Sequence, residues 1–169
     1  MTVTLTSATQ RLADLVVGVR DALSTDTRAD LTVRLVADQL RQHLPGPEIL
    51  TAEQRMGDRR QYTTYPLHIE PEWFTIVALV WRPGQRTRIH DHVSWCVFGV
   101  IQGIEYEELF DRNLTRLGAS ESYPGDVSGF APPGDIHRVR NIGDANAISL
   151  HIYGADLSRL GTSVRRYYD

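Results

Sequence analysis

The pattern of apolar residues divides the chain into a helical first part and a strand-rich remainder. Over residues 9–44, leucines and valines recur at three- and four-residue steps, which predicts two amphipathic helices. Residues 24–27, Ser-Thr-Asp-Thr, supply turn and N-cap chemistry between the helices. Pro45 and Pro47 end the second helix, because proline fixes its own φ and lacks an amide donor. We expect residues 1–48 to form a helical segment that packs on the rest of the chain.

After residue 50 the apolar period changes, and short runs rich in β-branched and aromatic residues are separated by Gly, Pro, Asn and Asp. No helix long enough for a βαβ crossover lies between these runs, so antiparallel pairing is expected. The predicted strands are residues 73–81, 94–102, 104–110 and 147–153. The pattern therefore predicts a mainly β single domain, with a barrel or sandwich over residues 49–157. The polar tail, residues 158–169, either frays or folds back over a barrel mouth.

Composition and charge exclude several classes of protein. The 169 residues carry 18 basic and 21 acidic side chains, a formal charge of −3, which leaves no positive excess for binding nucleic acid. No apolar stretch approaches the roughly 20 residues needed to cross a bilayer. Cys96 is the single cysteine, so no internal disulfide can form. We expect a cytoplasmic protein, a monomer or weak homo-oligomer, with no nucleic-acid or membrane partner.

Three histidines lie in patterns that suit metal binding. His90 and His92 are one residue apart on a predicted strand, where alternation points both imidazoles to the same face. Five residues separate Gly84 from His90, three separate His92 from Cys96, and six separate Cys96 from Gly103. This is the spacing of the first cupin motif, with cysteine at the glutamate position. The second motif, Pro-X-Gly-X-X-His followed by Asn, is matched by residues 132–141 and includes His137.

With these motifs the chain resembles the cysteine dioxygenase type of thiol dioxygenase in the cupin superfamily, closer to the bacterial cysteine and 3-mercaptopropionate dioxygenases. The segments that carry the resemblance are residues 89–92, 101–103, 136–141 and 149–153. The resemblance implies a small jelly-roll barrel after two helices, with Fe²⁺ held by His90, His92 and His137. It also implies a hydrogen-bonded relay of three catalytic residues, Ser149, His151 and Tyr153. The implied reaction adds both atoms of O₂ to the sulfur of a small organic thiol, giving a sulfinic acid.

The donor set suits that chemistry. Three neutral imidazoles leave the full charge on a divalent ion, whereas a ligand set with one carboxylate would cancel part of it. Such an ion favours an anionic ligand, and a thiol bound to it loses its proton readily. Cys96, in place of the cupin glutamate, fits this scheme. It is either a small buried apolar residue or, as in animal members of the family, the partner of a thioether to Tyr153.

The substrate is less defined. In cysteine-using members an arginine follows Tyr-Thr early in the barrel, and the corresponding residue here is Thr64. A hydroxyl cannot replace a bidentate guanidinium, which disfavours L-cysteine. The bacterial mercaptopropionate-type relatives use an arginine near the C-terminus, which matches Arg166 best, with Arg165 as the alternative register. Further candidates for the pocket or its mouth are Tyr62, Trp81, Trp95, Arg86 and Arg88.

Two classes of function remain open at this point. The relay order of His151 and Tyr153 favours an enzyme. The missing arginine at Thr64 leaves room for a non-enzymatic cupin, in which the metal serves a ligand sensor or binding module. The sequence also leaves open whether iron, nickel or zinc occupies the site.

Overall fold

A computed structural model describes residues 7–25 and 28–169 of the chain. Helix α1 spans Ser7–Ser24 and helix α2 spans Ala29–His43, so both predicted helices are present. Of the predicted turn at residues 24–27, Asp26 and Thr27 lie outside the described residues, as do residues 1–6 of the helical segment. A short 3-10 helix, Pro47–Ile49, and helix α3, Ala52–Met56, lead into the strands.

Ten strands and one short helix follow. The four predicted strands correspond to β2, β4, β5 and β9. In chain order the elements are β1 (Thr63–Glu70), β2 (Phe74–Trp81), β3 (His90–His92), β4 (Cys96–Gln102), β5 (Glu105–Phe110), β6 (Arg116–Ser122), β7 (Val127–Phe130), β8 (His137–Asn141), β9 (Ala147–Tyr153), α4 (Leu157–Leu160) and β10 (Val164–Tyr167).

The strands form two antiparallel five-stranded sheets. The first has the order β1-β2-β9-β4-β7, and the second has the order β10-β3-β8-β5-β6. Side chains from both sheets line one internal cavity, so the sheets face each other as in a jelly roll. The predicted fold class, a mainly β cupin preceded by two helices, is therefore confirmed.

The two helices cover the outer face of the first sheet. Leu15, Val19 and Leu40 are fully buried in one cluster with Ile76 of β2 and Ile152 of β9. Alternation then sends the neighbouring residues of these strands into the cavity. Because both faces of β2 and β9 are covered, all residues of these two strands are buried. The functional side chains of β9 are consequently held on a rigid central strand.

The glycine that closes the first motif has a steric reason. Gly103 lies between β4 and β5 with a φ of 79°, in the left-handed region that favours glycine. A Cβ at this position would come within 2.6 Å of the Cα of Ala147. The turn at Gly103 therefore packs directly against the first residue of β9, with no room for a side chain.

The C-terminal segment folds back and does not fray. Strand β10 pairs with β3, with Tyr167 opposite His90 and Val164 opposite His92. The chain end therefore lies beside the histidine pair. Among the described helices, none combines the length and the apolar character needed to span a membrane.

Candidate metal centre

Three imidazoles converge between the two sheets. His90 and His92 come from β3, and His137 comes from the adjacent strand β8, where it pairs directly with His90. Their ring centroids are 4.7 to 4.9 Å apart, and one nitrogen of each ring lies within 4.8 Å of the other two. All three side chains are buried. The three ring nitrogens thus face one shared volume.

Each ring is held through its Nδ1 atom by an acceptor outside that volume. The Nδ1 of His90 lies 2.9 Å from the carbonyl oxygen of Arg88. The Nδ1 of His92 lies 3.2 Å from a carboxylate oxygen of Asp135, and the Nδ1 of His137 lies 2.5 Å from Glu107. An acceptor at Nδ1 fixes the tautomer with the proton on that atom, which leaves the Nε2 lone pair free for a metal.

The protonation states of the rings agree with a role as ligands. Burial, together with the nearby His137 and His92, lowers the pKa of His90 to about 3. Burial also lowers the pKa of His92, although Asp135 opposes this effect. Both rings are therefore neutral at neutral pH, which is the form that binds metals.

The Nε2 atom of His137 provides the most direct sign of a ligand. It is buried and has no hydrogen-bond partner among the described residues. Buried polar atoms in native proteins nearly always have a partner, so an orphaned nitrogen aimed at two other imidazoles indicates that a metal belongs between them. Three neutral nitrogen donors suit divalent iron, zinc, copper or nickel. The residues present therefore fit a metal ion held by His90, His92 and His137.

A hydrogen-bonded row of side chains lies along β9 beside this centre. The hydroxyl of Ser149 lies 3.0 Å from Nε2 of His151, and the hydroxyl of Tyr153 lies 3.4 Å from Nδ1 of the same ring. Nε1 of Trp81 donates to Ser149 at 3.3 Å. Burial lowers the pKa of His151 to about 3, with His92 adding to the shift, so this ring is also neutral. The structure thus brings the three residues expected to form a relay into contact.

Cys96 lies directly opposite Tyr153 in the pairing of β4 with β9, so both side chains lie on the same face. Its Sγ atom is 3.8 Å from Nδ1 of His151. Burial raises the pKa of the Cys96 thiol well above its usual value, and burial likewise raises the pKa of Tyr153. Both groups are therefore protonated at neutral pH, and no carboxylate occupies the glutamate position of the motif.

The cavity above the histidines has a volume of about 210 Å³, which suits a small ligand. Thr64 and Tyr62 line it, and Tyr62 stacks on Trp81 with ring centroids 4.4 Å apart. No arginine occurs among the described residues that line this cavity. From the C-terminal strand, Val164 and Tyr167 complete the wall.

The structure does not place Arg166 at the cavity, and this expectation is corrected. A register shift between Val164 and Arg166 turns Arg166 to the outer face of β10. There its guanidinium binds the carboxylate of Asp91 at 2.5 Å, and the hydroxyl of Tyr168 donates to the same carboxylate at 3.0 Å. Arg165, the alternative, is exposed and is also absent from the cavity wall.

Trp95 and Arg88 are likewise outside the cavity. Trp95 precedes Cys96 and points to the opposite side, where it packs against the helical cluster. Arg88 is exposed, and its guanidinium stacks on the ring of Tyr167 at 4.5 Å from the ring centroid. It therefore lies beside the mouth and contacts the wall from outside.

Several residues of the site were not found from the sequence. Asp135 and Glu107 hold the metal-facing histidines, Tyr167 lines the cavity, and Glu105 lies buried in its wall. Glu105 and Glu107 are two residues apart on a predicted strand, so their side chains share one face. The strand pattern did not show whether that face points to the interior. Asp135 occupies a variable position of the second motif, so the motif gave no signal for it.

Comparisons with known proteins agree with this architecture. A family model described as "Cysteine dioxygenase type I" matches residues 1–166. The chain is also similar to the crystal structure of a protein from Thermus thermophilus, with a TM-score of 0.50 and 20% identity over 63% of this chain and 96% of that one. An uncharacterized Klebsiella pneumoniae protein with a double-stranded β-helix domain has a TM-score of 0.50 and 15% identity, covering 63% of this chain and 89% of that one. At these identities the two structures show the fold alone.

Proposed function

Because the chain belongs to the cysteine dioxygenase type I family, we propose that it is an Fe²⁺-dependent dioxygenase that converts a small organic thiol to its sulfinic acid with both atoms of O₂. The observation that carries this proposal is the buried group of three neutral imidazoles with the unpartnered Nε2 of His137. A ferrous ion held there supplies the redox capacity and the charge that favours a thiolate.

The surrounding residues prepare the cavity for that chemistry. Asp135 and Glu107 hold His92 and His137, so the donor nitrogens keep one orientation. Tyr153 is buried in the cavity wall, and its ring centroid is 6.1 Å from that of His92. Its hydroxyl is the proposed hydrogen-bonding and proton-transfer group that faces the reacting thiol and oxygen. His151 orients that hydroxyl, and Ser149 orients His151.

We further propose that the substrate is a small thiol that does not depend on an arginine for recognition. Arg166 is bound to Asp91 on the outer face, and Thr64 stands where cysteine-using relatives have arginine. The wall contributes several hydroxyls, including those of Thr64 and Tyr62. Such groups can bind a carboxylate or an uncharged polar group, but they lack the charge and the bidentate geometry that select α-amino acids.

The direct test is oxygen uptake by the iron-loaded protein. The chain is loaded with Fe²⁺ without oxygen, the iron content is measured, and uptake is followed with 3-mercaptopropionate, L-cysteine, 2-mercaptoethanol and 2-aminoethanethiol. We expect thiol-dependent uptake with at least one of them, and a product that carries both atoms of labelled O₂. Absence of uptake across the panel by fully ferrous protein would contradict the enzyme and favour a metal-bearing binding module.

A pair of tyrosine variants tests the role of the relay. Tyr153→Phe should retain iron but lose most of the turnover, because it removes the hydroxyl that His151 holds. Tyr65→Phe on strand β1 is the matched control, since Tyr65 is absent from the cavity wall. Equal turnover in the two variants would remove Tyr153 from the mechanism.

A cytoplasmic location and a monomeric or weakly associated state stay predictions from composition.

A further inference from the structure

One buried acid in the cavity wall has no part in holding the metal ligands. Glu105, on β5, is 2% exposed, and neither of its carboxylate oxygens has a hydrogen-bond partner among the described residues. It lines the same cavity as the histidines. Burying a carboxylate without a partner is costly, so a native structure that retains one gives it a task.

Glu105 lies just beyond one end of the relay on β9. The polar groups that act on its carboxyl are the hydroxyl of Ser149 and the indole of Trp81, and both lower its pKa. Ser149 in turn lies 3.0 Å from Nε2 of His151. The hydrogen-bonded row therefore runs from Tyr153 through His151 to Ser149. Glu105 lies beside its Ser149 end, with no hydrogen bond to it among the described residues.

The strands around Glu105 present no neutralising cation within the described residues. Asn141 is its partner on β8. The side-chain NH₂ group of Asn141 donates to the carbonyl oxygens of Trp81 and Ala145, and its side-chain oxygen accepts from the backbone N–H of Gly143. Burial, with a smaller contribution from Glu107 on the same strand, raises the pKa of Glu105 to about 7 against the opposing effect of Ser149 and Trp81. The groups that face it from neighbouring strands are Ser149 of β9, Trp81 of β2, Asn141 of β8 and Ser122 of β6.

We propose that Glu105 is a positioning residue, the fourth member of the relay, and that its charge sets the direction in which the relay hydrogen bonds point. An ionised carboxylate only accepts, so in the proposed relay the Ser149 hydroxyl turns toward it to donate, and accepts from Nε2–H of His151. The bare Nδ1 of His151 then accepts the hydroxyl proton of Tyr153. When Glu105 is protonated it donates to Ser149, Ser149 donates to Nε2, and Nδ1–H faces the Tyr153 oxygen.

When Glu105 is ionised, the direction of the relay hydrogen bonds provides a route for one proton away from the metal centre. The proton of Tyr153 passes to Nδ1 of His151, the proton on Nε2 passes to Ser149, and the hydroxyl proton of Ser149 passes to Glu105. Each member gains and loses one proton, apart from Tyr153 at one end and Glu105 at the other. The catalytic use of this route rests on the proposed function, whereas the state of His151 does not require turnover.

The tautomer of His151 tests the proposal directly. The full chain is loaded with Zn²⁺, a diamagnetic ion that imidazoles bind, and ¹⁵N-labelled histidine is followed by NMR through neutral pH. The His151 signal is assigned by its loss in His151→Gln. We expect the Nε2–H tautomer above, and the Nδ1–H tautomer below, a midpoint near the Glu105 pKa of about 7. Glu105→Gln and Glu105→Leu, neutral residues of similar size, should both abolish the transition.

Glu108→Gln is the matched control. Glu108 is a buried acid of the same strand, but it is bound to Arg138 and does not line the cavity, so the transition should persist. In the ferrous enzyme, Glu105→Gln should also remove a step near neutral pH from the kcat profile while iron content stays unchanged. A single His151 tautomer across the titration of the unaltered chain, or a transition that survives in both Glu105 variants, would overturn the proposal. Absence of thiol turnover would contradict the proposed function and leave the tautomer result standing.

Discussion

Replacing Arg166 by glutamine separates a structural role from a substrate-binding role. In the structure its guanidinium binds Asp91 through Nη2 and Nε, at 2.5 Å and 3.1 Å. Asp91 lies on β3 between the two metal-facing histidines, and its side chain is 5% exposed. The ion pair therefore fixes strand β10, and with it the Tyr167 side of the cavity wall, against the strand that carries His90 and His92.

The structure sets the size of the effect. Hydrogen bonds to a charged group contribute about 1.5–3 kcal/mol. Asp91 is 5% exposed and retains Tyr168 as a donor, so leaving this buried carboxylate without its second partner in Arg166→Gln should cost about 1–2 kcal/mol. For a domain of this length, that corresponds to a fall in Tm of roughly 2–8 °C.

The assay is thermal unfolding of the metal-loaded protein, with Arg165→Gln as the control. Arg165 is exposed and forms no ion pair in the described part of the chain, so its Tm should stay within about 1 °C of the unaltered protein. Arg166→Gln should also change KM for 3-mercaptopropionate and 2-mercaptoethanol by similar factors. An unchanged Tm, together with a selective rise in KM for the carboxylate thiol, would refute the structural role and restore Arg166 as a substrate ligand.

Other perturbations report on the site itself. Glu107→Gln should weaken metal affinity by about 10–100-fold in a chelator competition, because Glu107 holds His137, and Glu108→Gln should not; equal affinities would contradict this. The folded pKa of His151, about 3, lies below its ordinary 6.5, so the unfolded chain binds the extra proton and stability falls as pH drops from 6.5 toward 3. In the metal-free protein, His151→Gln should make the fall of the free energy of unfolding with pH shallower by up to about 1.4 kcal/mol per pH unit. An identical pH dependence in the variant would show that the folded protein already holds His151 in its charged form. A Cys96–Tyr153 thioether should make part of the oxygen-exposed protein two hydrogen atoms lighter by intact mass, and an unmodified mass for active protein would exclude it.

The elements that the sequence predicted are those in which local pattern and burial agree. Alternation on β3 placed His90 and His92 on one face, and the spacing of the two motifs brought His137 to them. The relay of Ser149, His151 and Tyr153 on β9 was implied by the family resemblance, and strand alternation agrees with it, because every second residue of a strand shares a face. These features depend on positions within one strand or one motif.

The errors arise where several strands must be aligned. One irregularity in β10 turns Arg166 away from the cavity and brings Tyr167 to it, and nothing in the local sequence marks that shift. Trp95 shows a simpler error, because alternation with the inward Cys96 already places it on the other face. The position of Glu105 beside Ser149 depends on how β5 lies across from β9, a relation between sheets that single-strand patterns do not contain.

Iron retention tests the central claim most directly. The unaltered chain, His137→Ala and His43→Ala are each loaded with Fe²⁺ without oxygen and freed of unbound metal, and iron per chain is measured. His43, at the end of α2, lies outside the three-histidine group and serves as the control. We predict about one iron per chain for the unaltered protein and for His43→Ala, and almost none for His137→Ala, with the fold of all three intact. Full occupancy in a folded His137→Ala would contradict a metal centre built on these three imidazoles.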